Sequence, residues 1–277
     1  MLMEVDAGSK IAQGDLSSPI LYALLNGPLD ERIAANALPS SFVESNAAPY
    51  LLFCVRPRNP HNIALETYFG VVLANYFEHA IQTVYDGCLY FLVSSVAEDA
   101  RGSARSEMLT KELERQGLVC GVSQHFNDLR EIRIRGWEAH RALEINVKLQ
   151  MEEPITNYID HIDEIAFDTL HDVLPEDALA HPLVKELRRH DAKYNTNYLK
   201  TLEVYYRCEF DKKLASEILH IHRNTLQYRL NRVKELLRLG DEKPYHLLLY
   251  FGMEGYLERL REVAEKSGGD PQHDAGR

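Results

Sequence analysis

The sequence predicts an α+β chain in which an α/β sandwich is followed by an all-helical domain. Three observations lead to this prediction. Apolar, strand-like segments alternate with helical patterns up to about residue 150, in the order strand, helix, hairpin, helix, strand, helix. After Pro154 no further strand is convincing, and from Asn197 onward the pattern is helical up to a polar tail.

The amino-terminal elements follow from apolar spacing and from helix-breaking residues. Leu16–Leu25 and Leu29–Ala37 have helical spacing and are separated by an Asn-Gly-Pro break. Tyr50–Arg56 is an apolar strand. His61–His79 places its apolar residues at helical intervals, so we expect a helix there.

A β-hairpin is the clearest element of the sandwich. Ile81–Tyr85 and Cys88–Ser94 are apolar segments that flank Asp86-Gly87. Both turn residues tolerate a positive φ, which a two-residue hairpin turn requires.

The rest of the sandwich reads as helix, strand, helix. Asp99–Gln116 is a charged surface helix, and Leu118–Ser123 is a strand. Phe126–Leu149 is a long helix with Asn127 as its N-cap. Its buried face is expected to carry residues at helical spacing: Leu129, Ile132, Gly136, Ala139, Leu143 and Val147.

These elements predict five segments along the chain. They are a flexible N-terminus at 1–15, an α/β domain at 16–150, a helical connector at 151–196, the all-helical domain at 197–260 and a disordered tail at 266–277.

The composition is that of a globular protein, with 45% hydrophobic and 26% charged residues among 277. The longest apolar runs are far shorter than the roughly 20 residues that span a bilayer, and the N-terminus lacks a signal-peptide pattern. We therefore expect a cytoplasmic protein with no membrane partner. The four cysteines are scattered without a CxxC pair, so small buried hydrophobes are their expected role.

Charge is unevenly distributed along the chain. The net charge is −11, yet residues 212–238 hold seven Lys/Arg against two Glu, a net of +5. The remaining residues hold 24 basic and 40 acidic groups. A basic island on an acidic chain suits a nucleic-acid contact directed to one site.

Within this island, Leu214–Leu237 reads as two short helices joined by a tight connection. Leu226, Leu230, Val233 and Leu237 form one apolar stripe on the second helix. The opposite side carries hydrogen-bonding side chains: Asn224, Gln227, Tyr228, Asn231 and Arg232. The preceding helix, Lys213–Leu219, is expected to pack Leu214, Ala215 and Ile218 inward. By pattern alone, an ordinary helical hairpin with a solvated face stays open.

The segment Tyr198–Gly240 closely resembles the C-terminal helix-turn-helix of the PucR/CdaR family of bacterial transcription regulators, and it is similar to the DNA-binding end of the Fis protein. The most specific string is His222-Arg223-Asn224-Thr225-Leu226 followed by Tyr228-Arg229-Leu230. The resemblance implies double-stranded DNA as partner. The contacts that it implies come from His222, Arg223, Asn224, Thr225, Gln227, Tyr228, Arg229 and Arg232. Arg229 lies beside the apolar stripe, so a structural role for it is equally open.

The preceding two thirds of the chain resemble the degenerate GGDEF-like domain of the same family. An active cyclase of this kind needs Gly-Gly-(Asp/Glu)-Glu-Phe at the hairpin, where this chain has Tyr85-Asp86-Gly87-Cys88-Leu89. The first strand offers no carboxylate either, and bound Mg²⁺ needs clustered oxygen ligands. We therefore expect no enzyme activity and no catalytic residues.

The sequence thus predicts a sequence-specific transcriptional regulator that acts as a homodimer on an operator with two half-sites. Its GGDEF-like domain would dimerise or sense an unidentified small-molecule effector. The alternative is a regulatory module that binds a small metabolite or nucleotide, with weak or vestigial DNA binding. No cofactor is predicted. No metal is predicted either, because the pair His220 and His222 lacks a third ligand in fixed geometry.

Overall fold

The computed structural model of the chain describes residues 19–27, 49–59, 73, 76, 80–94, 102–179, 181–238 and 247–267. The chain divides into two compact units, one ending at Ile165 and the other beginning at Ala166. The expected helix Leu29–Ala37, nearly all of the expected helix His61–His79, the N-terminus 1–15 and the tail beyond Ser267 lie outside the described residues.

The first unit contains a five-stranded sheet with the order β2-β3-β1-β4-β5. The strands are β1 (Tyr50–Pro57), β2 (Ile81–Tyr85), β3 (Cys88–Ser94), β4 (Leu118–Val122) and β5 (Ile155–Asn157). Neighbouring strands are antiparallel, except that β5 runs parallel to β4. The predicted hairpin is confirmed, because Asp86 and Gly87 both adopt a positive φ between β2 and β3.

Helices cover both faces of this sheet. Those with bounds within the described residues are α1 (Pro19–Asn26), α2 (Gly102–Gln116) and α3 (Ile132–Lys148). One face packs Leu52 and Leu92 against α1 and α3, and the other packs Phe53 and Phe91 against α2. Alternate residues of β1 and β3 therefore enter different cores, and the predicted α/β sandwich is confirmed.

Two expectations for this unit are wrong. Asp128, not Asn127, caps the helical segment, because its side chain accepts from the Arg130 amide and starts a 3₁₀ turn at Leu129–Glu131 ahead of α3. A strand also follows Pro154. β5 has only three residues, too few to show a period of two, and it exists because β4 offers a partner for parallel pairing.

The described residues of the second unit form helices joined by turns, with no strand among them. Helix α4 (Ile162–Val173) begins in the first unit and ends in the second. The helices that follow are α5 (Glu176–Leu179), α6 (Pro182–Tyr194), α7 (Tyr198–Arg207), α8 (Lys212–Ile218), α9 (Arg223–Leu237) and α10 (Leu247–Lys266). Helix α6 lies in the stretch where we expected a connector, yet Val184 and Leu187 share one core with α7 and α9. Across the described segments, no helix combines the length and the apolar character that crossing a membrane requires.

Candidate nucleic-acid interface

Helices α7, α8 and α9 form a three-helix arrangement around one core. The stripe predicted on α9 is confirmed: Leu226 and Val233 are fully buried, and Leu230 and Leu237 are nearly so. They pack against residues of α7 such as Leu202 and against Ala215 of α8. Since the buried stripe fixes the rotation of α9 about its own axis, it also fixes which side chains face outward.

The turn between α8 and α9 is closed by backbone and side-chain hydrogen bonds. His220 adopts a left-handed conformation (φ 51°), and the Ile221 amide donates to the Ser216 carbonyl (3.1 Å). His222 then caps α9, because its Nδ1 accepts from the Asn224 amide (3.2 Å). This cap uses the neutral imidazole, since a protonated Nδ1 has no lone pair to offer.

Helix α8 begins at an aspartate that sequence reasoning missed. The side chain of Asp211 accepts from the amides of Lys213 (2.7 Å) and Leu214 (3.1 Å). An aspartate directly before a short amphipathic helix is a recognisable N-cap signal.

The expected inward packing of α8 is only partly right. Ala215 is fully buried, but Leu214 and Ile218 are 45% and 52% exposed. In this seven-residue helix the buried positions are Ala215 and Ser216, so Leu214 and Ile218, one turn apart, lie on the outer side. A small residue at the crossing lets α8 approach α9 closely.

The outer face of α9 brings together most of the predicted DNA-binding residues. The exposed ones are His222, Arg223, Asn224, Thr225, Tyr228 and Arg232, and Gln227 is half-buried among them. Two interactions order this face: Gln227 donates to Asn231 (2.8 Å), and Arg232 forms an ion pair with Glu235 (2.6 Å). The pair with Glu235 also raises the pKa of Arg232.

Arg223 makes no ion pair with any residue of the described segments. It is the first residue of α9, where free backbone N–H groups and the helix dipole favour a phosphate. This geometry is suited to anchoring one end of the helix on a nucleic-acid backbone.

Arg229 is set apart from the other predicted contacts. It is half-buried, and its guanidinium donates to the hydroxyl of Thr201 on α7 (3.2 Å). Thr201 is fully buried and donates in turn to the Asn197 carbonyl (2.6 Å). The structure thus gives Arg229 a partner inside the domain, one that helical spacing within α9 could not reveal.

The first unit holds a second group of side chains that the sequence did not predict. Cys54, Cys88 and His140 offer ligand atoms that all lie within 4.8 Å of one another. Hydrogen bonding with Cys54, and then with His140, lowers the pKa of Cys88 to about 5, while burial raises that of Cys54. Hydrogen bonds with Cys88 and Glu144 raise the pKa of His140 to about 9. The four cysteines are buried, as expected, but two of them are not isolated.

Comparisons with known proteins agree with the geometry of the second unit. Residues 198–251 match the family model described as the PucR C-terminal helix-turn-helix domain. The chain is 37% identical over 94 residues to the carbohydrate diacid regulator of Escherichia coli K12. This alignment covers 33% of this chain and 24% of the relative. The match therefore spans about a quarter of that relative's length.

A solved structure, the regulator of polyketide synthase expression from Bifidobacterium adolescentis, aligns with 90% of this chain and 93% of its own. Its identity of 14% and TM-score of 0.38 are too low to add to the fold described above.

Proposed function

We propose that this chain is a sequence-specific DNA-binding transcriptional regulator that acts as a homodimer, since its residues 198–251 match the PucR C-terminal helix-turn-helix domain. The observation that carries the proposal is the outer face of α9, where hydrogen-bonding side chains project from a helix anchored by four buried residues. A helix of this kind fits the major groove of B-DNA, where base edges differ in their donor and acceptor pattern.

The side chains divide into two roles. Arg223 and the helix N-terminus at His222 contact phosphate and set the position of α9. Gln227 and Asn224 read base edges, since side-chain amides pair with adenine in the major groove. Tyr228 and Arg232 contact the backbone or neighbouring bases, and Thr225 contacts either.

One such helix makes few contacts, so we propose two copies on an operator with two half-sites. The first unit then serves as a catalytically inactive GGDEF-like domain that dimerises or senses a small-molecule effector. A cyclase of this kind needs clustered carboxylates to bind Mg²⁺. β1 carries no carboxylate, and the hairpin turn carries one, the exposed Asp86. Both observations support a catalytically inactive domain.

The test begins with genomic DNA fragments selected by the purified full-length protein, followed by fluorescence polarisation on the recovered site. We expect Gln227→Ala to weaken specific binding by roughly 10-fold while leaving non-specific binding unchanged. Arg223→Ala should weaken both, and it should lower the slope of log K against log salt by about 1.

Arg189→Ala is the matched control. Arg189 is 71% exposed on α6, where it pairs with Glu186, so its loss removes one positive charge without changing a residue of the proposed face. If the two α9 variants fold and bind as the control does, the proposed interface is wrong. A protein without DNA affinity at modest salt, but with a thermal shift on adding a nucleotide or sugar acid, would instead favour the small-molecule alternative.

A further inference from the structure

Three side chains from distant parts of the first unit meet on one face of its sheet. Cys54 lies on β1, Cys88 is the first residue of β3, and His140 lies on α3, which packs against that face. The Sγ atoms of Cys54 and Cys88 are 4.0 and 3.8 Å from Nδ1 of His140. Among the residues that the structure describes, this is the one group of three or more His, Cys, Asp or Glu with such a geometry.

These distances are close to those of a metal site. Zn–S bonds of about 2.3 Å and Zn–N bonds of about 2.05 Å give an S···N separation of about 3.6 Å in tetrahedral geometry and about 3.8 Å in trigonal geometry. Small rotations of the thiol side chains would therefore bring both sulfur atoms into range of a common ion.

The histidine is oriented as metal-binding histidines are. Its Nε2 lies 3.3 Å from Oε1 of Glu144, and Glu144 is itself held by Arg141 (2.6 Å). A carboxylate on Nε2 holds a proton there, so that Nδ1 can offer a lone pair to a metal ion beside the two thiols once it has released its own proton. Carboxylate partners of this kind position the ligand and raise its basicity.

The group is buried, as metal sites in protein cores are. Cys54 is fully buried, and Cys88 and Tyr90 are each 2% exposed. Tyr90 places its hydroxyl 3.2 Å from Nδ1 of His140 and closes one side of the group. When a metal ion binds and both thiols lose their protons, the charge of the ion offsets the cost of holding two thiolates among buried side chains.

A disulfide fits the same residues less well. In the β1–β3 register Cys54 faces Tyr90, so Cys88 is its diagonal neighbour. Diagonal pairs on adjacent strands have Cα atoms about 7–8 Å apart, whereas disulfides seldom exceed about 6.8 Å.

We propose that Cys54, Cys88 and His140 bind a thiophilic d¹⁰ metal ion, Zn²⁺ or Cu⁺, in the core of the first unit. Thiolate and imidazole ligands select these ions over Mg²⁺ or Ca²⁺, which need oxygen. The ion links β1, β3 and α3, so its binding stabilises the sandwich and makes the melting temperature depend on metal concentration.

The experiment uses the full-length protein, reduced and freed of metal, and titrates Zn²⁺ and, anaerobically, Cu⁺ against a chromophoric competitor. We expect one equivalent to bind at sub-micromolar Kd, with a rise in melting temperature. Co²⁺ used as a probe should give the sulfur-to-metal charge-transfer absorption that thiolate ligation produces. The relative affinities of Zn²⁺ and Cu⁺ identify the ion. Absence of both stoichiometric binding and the Co²⁺ bands in the wild-type protein overturns the proposal, whatever the variants do.

Variants then assign the site. Cys88→Ser should lose the charge-transfer absorption in large part and weaken binding by at least 100-fold, while Glu144→Gln, a milder change, should weaken it by roughly 10- to 100-fold. Cys120→Ala is the matched control, because Cys120 is a fully buried cysteine of the same sheet that belongs to the opposite core. Metal retained in Cys88→Ser and lost in Cys120→Ala would place the ion elsewhere and refute the assignment.

Discussion

Replacing Thr201 with valine removes the hydroxyl that Arg229 binds while keeping the shape of the buried side chain. This substitution separates the two roles open to Arg229, because Thr201 is fully buried on α7 and cannot itself touch DNA. A hydrogen bond from a charged donor is worth about 1.5–3 kcal/mol. Arg229 is only half-buried and the bond is 3.2 Å long, so we expect the lower end of that range.

A double-mutant cycle gives the coupling directly. Thr201→Val, Arg229→Ala and the double variant should show a coupling energy of about 1.5 kcal/mol between the two positions. Hydrogen exchange of peptides from α7 and α9 is the suitable readout, since it reports on this domain apart from the first unit. Each 1 kcal/mol lost should speed exchange of the protected amides about five-fold.

DNA binding decides the role. If Arg229 acts by holding α9 against α7, Thr201→Val and Arg229→Ala should weaken binding of the selected site to a similar, modest extent. The reasoning fails if Arg229→Ala alone weakens binding more than 10-fold and lowers the salt slope by about 1, because that is the behaviour of a phosphate contact.

Three further substitutions test the packing that supports both candidate sites. Gly121→Ala should lower the free energy of unfolding by at least about 1–3 kcal/mol, measured in a thermal melt. A Cβ at this position would lie 1.9 Å from the Ala139 carbonyl oxygen and 2.5 Å from the Leu143 nitrogen. Gly27→Ala is the control and should be tolerated, because the nearest atom to its Cβ would be 3.6 Å away. Asp211→Ala should destabilise α8 by about 1 kcal/mol in urea unfolding and weaken DNA binding with it, while Asp211→Asn, an equally good cap, should leave both nearly unchanged. Tyr256→Phe should lower the free energy of unfolding by about 1–3 kcal/mol, since the Tyr256 hydroxyl donates to the buried Asp168 at 2.5 Å. A melting temperature equal to that of the wild-type protein would show that Asp168 needs no such partner.

Local patterns predicted those elements whose cause is local. Asp86-Gly87 predicts the hairpin, because a positive φ at two successive residues is a property of the turn itself. The apolar spacing of Leu226, Leu230 and Val233 predicts the buried stripe of α9, since every α-helix repeats each 3.6 residues whatever surrounds it. In both cases the information sits within a few residues of the structure that it determines.

Features that depend on a distant partner were missed. The sequence around Gly121 did not predict that only glycine fits there, because the space for a Cβ is taken by the close approach of α3. Strand β5 has too few residues for a pattern and takes its register from β4. The group of Cys54, Cys88 and His140 is likewise invisible in the sequence, where the cysteines appear scattered; only the β1–β3 register and the packing of α3 bring the thiols to the histidine.

The charge distribution explains why two copies matter for the proposed function. The net charge of −11 means that the basic island of residues 212–238 acts against the rest of the chain, so bulk attraction contributes little and a few directed contacts must supply the affinity. A single domain binding a half-site with a Kd of about 10 µM, in the range typical of weak DNA contacts, would be largely free in dilute solution. Joining two such domains at an effective concentration of about 1 mM gives a Kd of about 0.1 µM for the pair, without any new contact. Under the proposed function, specific recognition would rest on dimerisation as much as on the side chains of α9, and an effector that alters the dimer would control DNA binding without touching that helix.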